Sequence, residues 1–179
     1  MRRLVEQLLA LSRVEPGHFR EQAELVDVVA MAREVIAELA STPFGRTHAM
    51  ELCATEGLVP VRGWSAAIEI LLRNLIDNAL RYSPANTEVC IRLEQRHHRL
   101  ALLVEDGGPG IEDDAHQRVL QRFHRELGTG VEGSGLGLSI VSQVVALHGA
   151  SLQMDRSPEL GGLRVSVVFP ASEEAEAMR

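Results

Sequence analysis

Apolar residues recur along this chain with two different periods, and the places where the period changes mark its elements. Leu72, Leu75, Ile76 and Ala79 fall on one face at about 100° per residue, which predicts a helix from about Ser65 to Ser83-Pro84. It stops there because the residue before a proline is pushed out of helical geometry. Val28, Val29, Ala32, Val35, Ile36 and Leu39 predict a second helix to Ala40, with Asp27 as N-cap. Met1 to Val14 carries a Leu4, Leu8 and Leu11 seam and reads as a third, either cut from a longer helix or a natural terminus. Leu136 to Leu147 reads as a fourth. Period-two stretches predict strands at Ala49–Cys53 and Leu58–Val61 around a Glu56-Gly57 turn. Further strands are expected at Glu88–Leu93 and Leu100–Val104, joined by a polar hairpin, and at Ser151–Met154 and Leu163–Phe169 across 158–162. The order ββ-α-ββ-α-ββ is that of an α+β fold, a two-layer sandwich whose mixed, mostly antiparallel sheet is covered on one face by helices. The expected divisions are a helix end at 1–15, a linker at 16–25, one domain at 26–170 and an acidic disordered tail at 171–179.

Composition narrows the function without naming it. A net charge of -7 with no basic run argues against a nucleic-acid partner. All 18 basic residues are Arg, so any cation meeting a phosphate must be a guanidinium. Cys53 and Cys90 are far apart in sequence and lack metal-ligand spacing, which favours reduced, buried thiols. No apolar run is long enough to span a membrane and no signal peptide is visible, so the chain as given is expected to be soluble.

Three stretches carry chemistry. On the helix ending at Pro84, Asn74, Asn78 and Arg81 lie at i, i+4 and i+7 and form one polar stripe. Amide oxygens can ligate Mg²⁺ and Arg can meet phosphate, although two hydrogen-bonded asparagines on a plain helix would look the same. In Val104-Glu105-Asp106-Gly107-Gly108-Pro109-Gly110-Ile111 a strand ends in an acid followed by glycines. This is either a simple turn or a site where Asp106 accepts a hydrogen bond from an amino group such as that of adenine. Gly133-Ser134-Gly135-Leu136-Gly137-Leu138-Ser139-Ile140 opens into an apolar helix whose first N–H groups would suit phosphates. Asp155, about twenty residues on, invites a dinucleotide-binding reading, but the spacing is GxGxG and no strand precedes it. A Walker A loop is excluded because no Gly-Lys-Ser/Thr occurs. The long stretch between the second and third elements reads as a mobile lid, with Phe123 as anchor and Arg122 and Arg125 as cations for phosphate.

Together and in this order, NxxxN, DxGxG, RFxR and GxGLGLSI resemble the N, G1, F and G2 boxes of sensor histidine kinases of two-component systems. The resemblance covers about 26–170, and Leu8-Leu9-Ala10-Leu11-Ser12-Arg13-Val14-Glu15 looks like the end of such a kinase's dimerisation helix. The RYSP and GSGLGLSIV wording most resembles the polymyxin-resistance and quorum-type sensors. The resemblance implies the Bergerat (GHKL) ATP-binding sandwich, with ATP and Mg²⁺ as ligands. By the same analogy Asn78 ligates Mg²⁺ with Asn74 assisting, Arg81 meets phosphate, and Tyr82 lies against the adenine whose amine Asp106 binds. Gly108, Gly110 and Ile111 admit the base, while Gly133, Ser134, Gly135, Leu136, Gly137 and Leu138 shape the lid hinge and phosphate turn. The implied partners are a dimerisation domain bearing the acceptor His and a response regulator. The whole protein would be a homodimer anchored in a bacterial inner membrane, with this monomeric portion in the cytoplasm.

Departures from the pattern matter as much. Gly107 stands where the family has Asn. The acceptor signature, a His followed by an acid and Arg-Thr-Pro, is not found around any of the seven histidines. His148, before Gly149, reads as a helix-end residue interacting with the dipole. Where related ATPases place a water-activating Glu, this chain has Asn74, and an amide takes no proton near neutral pH. The resemblance therefore implies a histidine kinase domain that holds ATP for a nucleophile brought from elsewhere. Its rivals are a serine kinase of the anti-sigma-factor type and a non-catalytic ATP-dependent switch of the same fold.

Overall fold

A computed structural model describes residues 23–112, 115–121 and 135–171. The expected N-terminal helix, the lid residues Phe123, Arg122 and Arg125, the turn residues Gly133 and Ser134, and the tail beyond 171 lie outside them. The chain order is β1 (Glu24–Val26), α1 (Val28–Ala40), β2 (Ala49–Ala54), β3 (Val61–Gly63), α2 (Ser65–Tyr82), β4 (Glu88–Arg96) and β5 (Arg99–Asp106). There follow α3 (His116–Val119), α4 (Gly137–Leu147), β6 (Ser151–Arg156) and β7 (Leu163–Val168). Five strands form one sheet in the order β2-β4-β5-β7-β6, and only the β2–β4 pair is parallel. The mixed, mostly antiparallel sandwich expected from the sequence is what the chain forms.

Alternation along the strands decides which face meets the helices. Val89, Ile91 and Leu93 of β4 join Leu100, Leu102 and Val104 of β5 and Val165 and Val167 of β7 in one core. Against them α2 sets Leu71, Leu72, Leu75, Ile76, Ala79 and Leu80, and α4 sets Ile140, Val141 and Val144. The predicted stripe Leu72, Leu75, Ile76 and Ala79 is buried throughout. Asp27 caps α1, its Oδ1 accepting from Ala30 N at 3.0 Å. Each helix is held by its apolar face, as an amphipathic helix in a sandwich must be.

Three sequence expectations change. First, β2 and β3 are not partners. β2 pairs in parallel with β4, and β3 pairs with Glu24–Val26, a strand that crosses the expected boundary between the linker (16–25) and the domain. Three residues with one inward side chain give no periodicity to detect, and Pro60, lacking an N–H, delays β3 to Val61. Second, Cys53 is exposed, and it sits on the strand next to that of the buried Cys90. Parallel register, invisible in the sequence, brings the two together.

Third, His148 stands at the helix end as expected, but as a buried C-cap whose ring is engaged by hydrogen bonds. Its Nδ1–H donates to Val144 O at 2.8 Å and its Nε2 accepts from Trp64 N at 3.2 Å. That pattern requires the neutral ring. Trp64 and Phe169 meet it edge-on, with centroids 5.4 and 5.8 Å away. Burial pushes its pKa below the usual histidine range, against the pull of the Val144 carbonyl. The ring ties the start of α2 to the end of α4.

Candidate functional site

The site lies where the C-terminal half of α2, the loop after β5, the β6–β7 turn and the start of α4 converge. Close approaches that leave no room for a Cβ define it. A Cβ on Gly137 would stand 2.9 Å from both amide atoms of Asn78. One on Gly108 would stand 2.6 Å from the Tyr82 carbonyl oxygen. One on Gly162 would fall 2.3 Å from Asp106 Oδ1 and 2.5 Å from Gly108 N. Gly137 thus fixes α4 against α2, Gly108 fixes the loop against the end of α2, and Gly162 fixes the β6–β7 turn beneath Asp106. Contacts this tight make glycine a requirement of packing as well as of backbone freedom. Positive φ angles at Gly110 (77°) and Gly135 (68°) add the second requirement at the loop's two ends.

Asp106 is 5% exposed at the end of β5. Its Oδ1 accepts from Gly108 N at 2.8 Å and from Leu163 N at 3.1 Å, and its carbonyl accepts from Gly162 N at 3.1 Å. Oδ2 accepts no hydrogen bond from the described residues. Burial raises the carboxyl pKa above its ordinary value, and the two N–H groups oppose this. The backbone therefore fixes one oxygen and leaves the other available as an acceptor.

The turn that supplies Gly162 and Leu163 is itself anchored from below. Glu105, 1% exposed, accepts from Ser157 Oγ at 2.6 Å, and Ser157 Oγ accepts from Leu160 N at 3.0 Å. Arg92 faces the other Glu105 oxygen at 3.8 Å. Sequence reasoning missed Gly162, Glu105 and Ser157. The Gly161-Gly162 pair was a visible signal but read only as a turn.

The expected polar stripe of α2 divides in space. Asn74 donates its amide N–H to Ile70 O at 2.8 Å, which directs its amide oxygen away from the helix backbone. The half-buried Asn78 amide makes no hydrogen bond with the described residues. Arg81 does not join them. Its Nε meets both carboxylate oxygens of Asp77 at 2.9 and 3.0 Å, and its guanidinium lies 4.6 Å over the Phe44 ring. A guanidinium so engaged is a poor match for the expected phosphate contact, because moving it would forfeit an ion pair and a cation–π contact.

In the third stretch, Leu136 is fully buried in the core and Leu138 is half-buried against it. The Leu136 side chain is thereby committed to the core, so at that position it is the backbone that can face a ligand. The first turn of α4 has neither a side-chain cap nor an acidic residue, which leaves its N–H groups open to an anion. Tyr82 is half-buried, and Ile111 packs against the core with its carbonyl 3.2 Å from a ring nitrogen of His116. At Gly107, a Cβ would meet Thr87 at an ordinary 3.4 Å, so the departure from Asn is not imposed by packing.

Residues 65–173 match the family described as histidine kinase-, DNA gyrase B-, and HSP90-like ATPase. The chain belongs to that family. Membership implies ATP binding, and the site just described lies within the matched span. The sensor protein kinase PmrB of Pseudomonas aeruginosa is 37% identical over 95% of the chain, and the sensor protein QseC of Escherichia coli K12 is 32% identical over 92%. The chain spans about a third of the length of these relatives, 35% and 36%. The solved mycobacterial sensor histidine kinase MprB superposes with a TM-score of 0.71 at 31% identity, covering 83% of this chain and 97% of that one. No helix among the described residues is long and apolar enough to cross a membrane.

Proposed function

We propose that this chain is the catalytic domain of a sensor histidine kinase, holding Mg-ATP so that its γ-phosphoryl group passes to a histidine of a dimerisation domain. The observation that carries the proposal is the occurrence of two unfinished polar groups on adjoining elements, the Asn78 amide on α2 and Asp106 Oδ2 on the loop packed against the end of α2. Buried or half-buried polar groups are normally satisfied within the protein, and those left open point to a ligand. Asp106 Oδ2 suits the exocyclic amine of adenine, where guanine presents a carbonyl. The open N–H groups of α4 suit phosphate oxygens.

The donor set also fits Mg²⁺, since the amide oxygens of Asn78 and Asn74 are hard ligands. When bound there, Mg²⁺ supplies neutralisation of phosphate charge. The protein's own part is positioning. Asn74 takes up no proton, so no side chain at that position draws a proton from water, and ATP persists until an imidazole arrives. That imidazole nitrogen attacks the γ-phosphorus, the bond to the leaving ADP oxygen breaks, and the amides of α4 hold the departing phosphates. By family analogy Arg122 and Arg125 serve as cations for phosphate, and Gly133 and Ser134 belong to the phosphate-binding motif. The phosphoryl group then goes on to a response regulator, and the whole protein works as a membrane-anchored homodimer with this portion in the cytoplasm.

The test is incubation of the chain with labelled ATP and an acceptor domain bearing the His signature. Label that is acid-labile and alkali-stable is expected on the acceptor, and none on the chain's own seven histidines. Label on serine would transfer the assignment to the serine-kinase rival, and binding without transfer would favour a conformational switch. Equal affinity for ATP and GTP would overturn the role given to Asp106.

A further inference from the structure

We propose that Glu51, Cys53 and Cys90 form a binding site for one thiophilic divalent metal ion of the zinc class, on the sheet face opposite the helices. The proposal is independent of the nucleotide site and of the function read from it. In the β2–β4 register Glu51 lies opposite Cys90, and Cys53 lies opposite Arg92 two pairs further along. Side chains alternate along a strand, so all four project from the same face, while Met50 and Leu52 pack on the core. One ligand atom each from Glu51, Cys53 and Cys90 lies within 4.8 Å of the other two.

The register favours a metal over a disulfide. Cys53 and Cys90 are diagonal neighbours across the parallel pair, so their Cβ atoms are farther apart than those of a directly facing pair. A disulfide needs Cβ atoms only about 3.5–4.5 Å apart, so the strands would have to shift. Two metal–sulfur bonds of about 2.3 Å instead suit sulfurs that already lie within 4.8 Å of each other. Two thiolates with one carboxylate select a zinc-like ion over Mg²⁺ or Ca²⁺, which prefer all-oxygen shells. Three protein donors leave the fourth tetrahedral position to water. The ligands bring three negative charges and the ion two positive ones, which leaves one net negative charge beside the Arg92 guanidinium. Arg92 is already held in place by Glu159 and faces Glu105. Because β2 is an edge strand, the ion would clasp it to the rest of the sheet.

The experiment uses the reduced, metal-free chain and Co²⁺ as a spectroscopic probe. A thiolate-to-cobalt charge-transfer band with the strength of two sulfur ligands should grow to saturation at one ion per chain. Zn²⁺ should displace it and protect both thiols from a disulfide reagent. Cys53→Ser alters an exposed side chain, so the fold should persist while Zn²⁺ binds at least about a hundredfold more weakly, since even an outer partner of a ligand is worth 10–100-fold. Glu51→Gln should keep both sulfur bands but lower the affinity. Binding unchanged by Cys53→Ser, a cobalt spectrum without thiolate bands, or closure of a Cys53–Cys90 disulfide that Zn²⁺ does not retard would each overturn the proposal.

Discussion

Two buried titratable groups sit in different regions of the molecule, and they are finished to different degrees. His148, where the end of α4 meets the start of α2, uses both ring nitrogens within the protein and is closed in by Trp64 and Phe169. Asp106, at the end of β5, is held just as firmly by backbone, but through one oxygen only. Nearby, the Asn78 amide has no partner among the described residues, although a glycine at 137 lets α4 come right up to it. His148, satisfied on every side, stabilises the fold, whereas Asp106 keeps one oxygen available to a group from outside the described residues. The contrast separates structural from functional polarity in a way that residue type cannot.

The sharpest way to break the comparison is Asn78→Ala. If that amide serves the ligand, phosphoryl transfer and the Mg²⁺ dependence of ATP binding should vanish while the melting temperature stays within a few degrees of the parent. Calorimetric titration with and without Mg²⁺ decides it. Normal Mg-ATP binding by a variant that melts much lower would make Asn78 structural.

The reverse pattern is expected for His148→Ala. That change removes the His148 acceptor of the Trp64 N–H and opens a cavity beside two aromatic rings, and should cost about 2–4 kcal/mol of stability. Urea unfolding measures the loss, and ATP affinity below the transition should be unaltered.

Asp106→Asn sharpens the contrast further. The Asn oxygen can still accept from Gly108 and Leu163, so the loop should hold. Since the folded carboxyl pKa is raised, the native state binds its proton more tightly than the unfolded chain does. That contribution favours the fold at low pH and is lost as pH rises through the folded pKa, so the neutral amide should leave stability at pH 7 equal or higher. ATP affinity should nevertheless fall about tenfold or more, the effect of losing a charged hydrogen bond of about 1.5–3 kcal/mol. An unfolding curve and a binding isotherm on one sample test both halves.

The smallest effect is in pH. His148 has a lowered folded pKa, so the unfolded chain takes up its proton first, near the ordinary value of about 6.5. Its contribution to stability is therefore complete above that value and declines as pH falls toward the folded pKa. Urea midpoints between about pH 7 and 5 should show a slope that His148→Ala reduces. An identical slope in the variant would assign the effect to other groups.

Local pattern was enough for α2, whose apolar face spans five turns and whose end is written in Ser83-Pro84. It was enough for α1, where Asp27 caps a periodic run, and for the four strands that follow α2 in hairpin order. The glycine-flanked acid at Asp106 and the amides at Asn74 and Asn78 were legible because their spacing places them on known faces of a strand end and a helix. Pairing between distant segments was not legible. Gly162 matters because β7 lies beside β5 and brings Leu163 N to a carboxylate 57 positions away. Arg81 lies on the expected stripe but is drawn to Asp77 and Phe44, a choice made by the side chains that packing sets around it. Cys53 meets Cys90 only through a parallel register, and His148 meets Trp64 across 84 residues. Periodicity and capping are interactions between near neighbours, so the sequence by itself determined the elements and the residue types that could bind. Close approach, register and burial come from the summed packing of the whole sandwich, and only the tertiary structure decided which polar atoms were left open.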